Sequence, residues 1–259
     1  MKFFFRLFIA VLFMSLFISC ADDDEHVASG EGTKNASFLR TADSKYIDSL
    51  SNVLTNDPDY INFADSYLSE SVEIAANGLK IQSDGLAKDE IDSLNANNYD
   101  RITNVLSYLT LVYANHEELT KLSDEDAQAI LAKPLADAIN HKISETKGKS
   151  MPASANQLSL QNVVDGYVDD RTHFLTTYPS PKYQTLGLTI GETGECMVYA
   201  LGAFIAENWG VIKDVYGLVQ GGSITFTIVK TALQLAFPQL KAVWAISTLV
   251  SCLIVKTFW

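Results

Sequence analysis

Seven side chains in this sequence have the chemistry to act as ligands or nucleophiles: Cys20, Cys196 and Cys252, with His26, His116, His141 and His173. The histidines could bind metal beside acids, as in His116-Glu117-Glu118, His141 with Glu145, or His173 near Asp169-Asp170. No two histidines share the i, i+4 spacing of a helical zinc site, and no thiolate pair stands close in sequence. The expectation is therefore solvated histidines on helix faces, with no metal and no cofactor. Carboxylate pairs abound among 31 acids, so no acid/base pair stands out. Gly187, Gly191 and Gly194 are followed by no Lys-Ser/Thr, and Glu192 and Glu195 would repel phosphate. They are expected to form a flexible link.

The cysteines divide into one and two. Cys20 ends a leader in which Lys2 and Arg6 precede an uncharged apolar run from Leu7 to Ile18. Twelve helical residues span about 18 Å, short of a hydrocarbon core of about 30 Å, which predicts a signal peptide over 1–19 and not a membrane span. Ser19-Cys20 resembles the lipobox of bacterial lipoproteins, with Phe17 where that motif usually has Leu. The resemblance implies that Cys20 becomes the first mature residue and carries acyl chains, palmitate among them, as a membrane anchor. Ala21-Asp22-Asp23-Asp24-Glu25 resembles the acidic tag that sends some of these lipoproteins to the cell surface. It implies an outer-membrane protein facing outward on a flexible tether over 20–41, with a protein or glycan partner left open.

Cys196 and Cys252 remain, and an even pair in an exported chain favours a disulfide. Closing that loop contributes on the order of 4 kcal/mol on the chain-entropy account. A second reading leaves both as buried free thiols, and a third makes Cys196 a nucleophile, because Gly191-Glu192-Thr193-Gly194-Glu195-Cys196 places it near a helix start, where a thiol pKa falls. That arrangement superficially resembles papain-like peptidases. Those place their histidine after the cysteine, whereas His173 precedes Cys196 here and no histidine follows it. The resemblance fails there, and the chain is expected not to be an enzyme.

The elements that would carry these residues follow from periodicity. Between about 43 and 180 apolar residues recur at helical spacing. Tyr99, Ile102, Val105, Leu106, Leu109, Val112 and Tyr113 form one stripe, and Leu160, Val163, Val164, Tyr167 and Val168, continuing to Phe174, Leu175 and Tyr178, form another. Ser123 precedes three acids at a predicted helix start, and Pro134 should kink or restart that helix. Polar clusters at 52–57, 95–100 and 147–156 are expected to be joints. Ile47-Asp48-Ser49-Leu50 and Ile91-Asp92-Ser93-Leu94 match over four residues only, too little to predict a repeat array.

Charge then separates the regions. The chain of 259 residues has a net charge of −12, yet residues 186–259 carry four acids and four bases while 21–185 carry 27 acids and 13 bases. Such an acidic chain is unsuited to nucleic acid, and at 47% hydrophobic it is not disordered. Three apolar helices are predicted near the C-terminus: Cys196 to Val219, Ser223 to Phe237, and Pro238 to Phe258. The second is uncertain because Ser223 to Ile228 alternates like a strand. Only 14 uncharged residues separate Lys241 from Lys256, about 21 Å of helix, too short for an ordinary span. The fold class expected is all-α, with the acidic amphipathic helices of 42–185 packed around the apolar block of 186–259 as one domain. The function expected is an exported, lipid-anchored surface protein that binds or scaffolds. The alternative is a membrane-active, pore-forming effector whose apolar helices insert into a bilayer, resembling toxin hairpins in general character.

Overall fold

Asp43 sets the first helix: its Oδ1 accepts the Tyr46 N–H at 2.7 Å, and α1 runs Ser44–Leu54. The computed structural model describes residues 43–81, 86–146, 158–168 and 190–238, all within one compact unit, Leu39–Trp259. Asp57 caps α2 (Pro58–Ile81) through the Tyr60 N–H, with proline at the first helical position, where its missing N–H is harmless. Helix α3 (Lys88–Asn115) starts with Glu90 reaching back to the Ala87 N–H at 3.1 Å. A 3-10 turn (Leu119–Lys121) leads to α4 (Asp124–Thr146), where the Ser123 hydroxyl accepts the Asp126 N–H. Then come α5 (Leu158–Val168), α6 (Ile190–Val219) and α7 (Phe226–Ala236). The described residues are all-α: seven helices and no strand.

Helix α3 packs on α2, α6 and α7, and α4 packs on α1, α5 and α6. Six of the seven residues in the first predicted stripe are buried, from Ile102 to Tyr113. The seventh, Tyr99, sits at the margin and donates its hydroxyl to the Phe237 carbonyl at 3.1 Å. Aromatic contacts tie the layers together. Tyr67 of α2 lies 6.0 Å from Phe204 of α6, and Tyr113 of α3 meets Trp209 and Tyr216 of α6 edge-on at 5.2 and 5.3 Å.

Several expectations need correction. The polar cluster 95–100 is not a joint but an interior part of α3, because its side chains have partners. Asn97 Oδ1 accepts from Arg101 one turn on, Asn98 Oδ1 accepts from Asn77 of α2, and Asp100 pairs with Lys230 of α7. Gly191 and Gly194 are not a link either, since α6 begins at Ile190, six residues before the expected start. A Cβ at Gly194 would lie 2.8 Å from Ile143 Cδ1, so glycine lets α6 seat closely on α4. The strand-like alternation over Ser223 to Ile228 is resolved as helix from Phe226, capped by Thr225. Pro134 stays inside a continuous α4. The proposed joint at 147–156, residues 169–180 and the helix from Pro238 to Phe258 lie outside the described residues, apart from Pro238 itself just past α7.

Candidate functional site

The sequence offered His116 with Glu117 and Glu118. The fold gives it a different acid: His116, at the C-terminal end of α3, places Nε2 3.1 Å from Asp57 Oδ2. The same Asp57 caps α2 through Oδ1, and Asn115 beside His116 donates to Asp59 Oδ2 at 2.8 Å. The end of α3 is thereby stitched to the start of α2. Glu117 instead pairs on the surface with Lys121, whose hydrogen bond holds the Glu117 carboxyl below its usual range. His141 has its expected neighbour, with Nδ1 3.8 Å from Glu145. The adjacent Lys142 reaches Asp165 of α5 at 3.5 Å. His26, His173 and Asp169-Asp170 lie outside the described residues, among which no group of three or more His, Cys, Asp or Glu is placed to hold a metal.

A polar cluster among the described residues, spanning three helices, is one that sequence reasoning missed. On α3, Arg101 pairs with Glu70 and lies 3.6 Å from Glu73, both on α2. Asn104, less than one turn away, donates to Glu70 Oε1 and accepts Lys230 Nζ of α7 at 2.7 Å. Lys230 also lies 3.1 Å from Asp100. The cluster thus binds three helices and balances most of its own charge. A carboxylate engaged by a guanidinium is a poor general base, so its chemistry is that of a clamp.

Two buried tyrosines act similarly. The Tyr60 hydroxyl donates to the Leu131 carbonyl at 2.7 Å and accepts the Leu135 N–H at 3.2 Å, flanking Pro134. Proline leaves the carbonyl four residues earlier without its helix donor, and the turn beside it is where a foreign hydroxyl can insert. Tyr67 donates to the Met197 carbonyl of α6 at 2.9 Å. Burial pushes both phenols well above the ordinary tyrosine range, so they serve as neutral hydrogen-bonding groups and not as acids. At the start of α4, Lys213 Nζ of α6 lies 2.7 Å from Asp124 Oδ2. That hydrogen bond, with a smaller contribution from the Trp209 indole, lowers the Asp124 pKa.

Of the cysteines, Cys196 is in α6 with no exposure at all. A wholly enclosed sulfur has no approach for a substrate, which counts against the nucleophile reading. Cys20 and Cys252 lie outside the described residues, so lipidation and the Cys196–Cys252 bridge remain proposals. Where solvent is met, the C-terminal helices carry exposed apolar side chains: Tyr199 and Leu218 on α6, Ile228 and Leu235 on α7. Among the described residues no helix is long and apolar enough to cross a membrane. No family model matches the chain, and neither a curated protein nor a solved structure matches it.

Proposed function

We propose that this is an exported lipoprotein, acylated at Cys20, that stands on the outer membrane facing outward and binds or scaffolds a macromolecular partner without catalysis. One observation carries the reading: a basic start, a 12-residue apolar run and Ser19-Cys20 are followed at once by Asp22-Asp23-Asp24-Glu25. The use of polar side chains supports the non-catalytic part. Asp57, Glu70, Arg101, Asp124 and Lys230 each join one helix to another. Burial of Cys196 suits the proposed bridge to Cys252 better than nucleophilic work.

The test is fractionation of cells expressing the full chain or Cys20→Ala, fed an alkyne-tagged fatty acid. The wild type is expected in the membrane fraction and labelled, and the variant unlabelled and released. An unlabelled wild type contradicts the reading. Exposure of Ile228 and Leu235 on α7 favours a second reading, insertion of the C-terminal helices into a target bilayer. Dye release from vesicles of zwitterionic and anionic lipid by the full mature chain would support it, and intact vesicles across the pH range would dismiss it.

A further inference from the structure

Helix α7 differs from its neighbours in what holds it. Along its whole length only Val229 and Leu233 are buried. Helix α4, by contrast, buries an apolar residue on nearly every turn from Ala127 to Ile143. Ala232 and Phe237 pack partly buried against the core, and the other ties of α7 among the described residues are polar or aromatic. Lys230 is held by Asn104 and Asp100, the Phe237 carbonyl accepts the Tyr99 hydroxyl, and Phe226 stacks on Tyr108 with ring centroids 4.4 Å apart. Lys230 is the one charged residue of α7, so these contacts fix the helix at a single charged point.

The connection to α6 is suited to movement. Gly221 has φ of +97°, a conformation open to glycine, and nothing lies within 4 Å of where a Cβ would stand at Gly221 or Gly222. The surface beneath can also be uncovered cheaply. On α3, Tyr99, Asp100, Asn104 and Tyr108 mark the arc that α7 covers, and at 100° per residue Thr103 and Ser107 fall inside it. Their hydroxyls bond back to the Tyr99 and Thr103 carbonyls at 2.8 and 2.6 Å. Those bonds belong to α3 alone and survive removal of α7. The apolar cost of lifting is confined to Val229, Leu233, the partly buried Ala232 and Phe237, and the Phe226–Tyr108 contact. The polar groups that lose a partner are an ammonium, a carboxylate, an amide, a phenol and a carbonyl, all readily hydrated. An undocked helix of 11 residues would then unravel, being below the length at which isolated helices persist.

We propose that α7 is a separately opening strap, hinged at Gly221-Gly222 and latched at Lys230, which lifts from α3 while the bundle beneath stays folded. The test is native-state hydrogen exchange of the full mature chain, read by mass spectrometry on peptides within 226–236, 58–81 and 124–146. Expected is exchange in 226–236 more than ~10-fold faster than in the most protected peptides of α2 and α4. Lys230→Met keeps the aliphatic stem and removes the latch. It should accelerate 226–236 roughly 10-fold further, the loss of one charge-assisted hydrogen bond, with α2 and α4 unchanged. A smaller difference in the wild type overturns the proposal, as does a Lys230→Met effect shared equally by all three regions. The wild-type comparison decides the matter even where the variant does not fold.

Discussion

Helices α2 and α4 come from the acidic stretch of the chain, and α6 and α7 from the neutral, apolar one, yet depth of burial does not follow composition. Tyr60, Phe63 and Leu68 of α2 and Ile130, Leu131, Leu135 and Ile139 of α4 have no exposed surface. Leu235 of α7 is 78% exposed and Tyr199 of α6 is 65% exposed. Acidic helices bury well because their charges occupy the outer face and cost nothing there. Helix α7 has more apolar surface than its described neighbours cover. Among the described residues it packs on α3 and α6 and buries only Val229 and Leu233.

The sharpest way to break this comparison is truncation on each side of it. Leu109→Ala, in the wholly buried seam of α3, should cost about 2–5 kcal/mol in urea unfolding, whereas Leu235→Ala should change stability by less than about 0.5 kcal/mol. Similar losses would refute the division. Next in size is Tyr60→Phe, which strips the Leu131 carbonyl and Leu135 N–H of a buried partner beside Pro134. It should cost about 1–3 kcal/mol without altering helix content, read by chemical denaturation and circular dichroism.

Glycines on two faces of α6 give a smaller contrast of opposite sign. Gly194→Ala would press on Ile143 and Ile139 and should destabilise by about 1–2 kcal/mol, while Gly210→Ala meets nothing within 4 Å and should stabilise by about 0.5–1 kcal/mol. Thermal melts of both variants check the pair. The smallest effect is electrostatic. Partial burial raises the Glu207 pKa, so its folded state favours the protonated carboxyl, and that stabilisation fades as pH rises through the raised value. Asp124, lowered by Lys213, does the reverse: its contribution is present above the ordinary aspartate pKa and lost as pH falls through the lowered one. Glu207→Gln should therefore gain stability over wild type as pH rises past the glutamate range, and Asp124→Asn should fall behind wild type over the same rise. Unfolding curves at acid and neutral pH measure both.

What the sequence discloses and what it conceals follows the range of the interactions. Ser123 as a cap and the stripe from Tyr99 to Tyr113 depend on residues a turn apart, and both are legible. Asp57 with His116 is separated by 59 positions, and Tyr60 with Leu135 by 75, so no local pattern announces them. The cluster at 95–100 misleads for the same reason, since Asn98 and Asp100 are helical in α3 through partners on α2 and α7. Gly194 misleads because its purpose is the approach of another helix, which glycine in a sequence does not distinguish from a hinge. The candidate site was the least legible part. Cys196 stands out by its neighbours in sequence, and its complete enclosure in the bundle is not legible there.

Both regions serve the proposed role only if the chain is carried to a membrane surface and held there. Intact-mass analysis of the protein purified from the membrane fraction addresses that most directly. Expected is a mature chain beginning at Cys20, its mass raised by acyl chains. A mature chain that begins elsewhere, or begins at Cys20 without lipid, would contradict the proposed role.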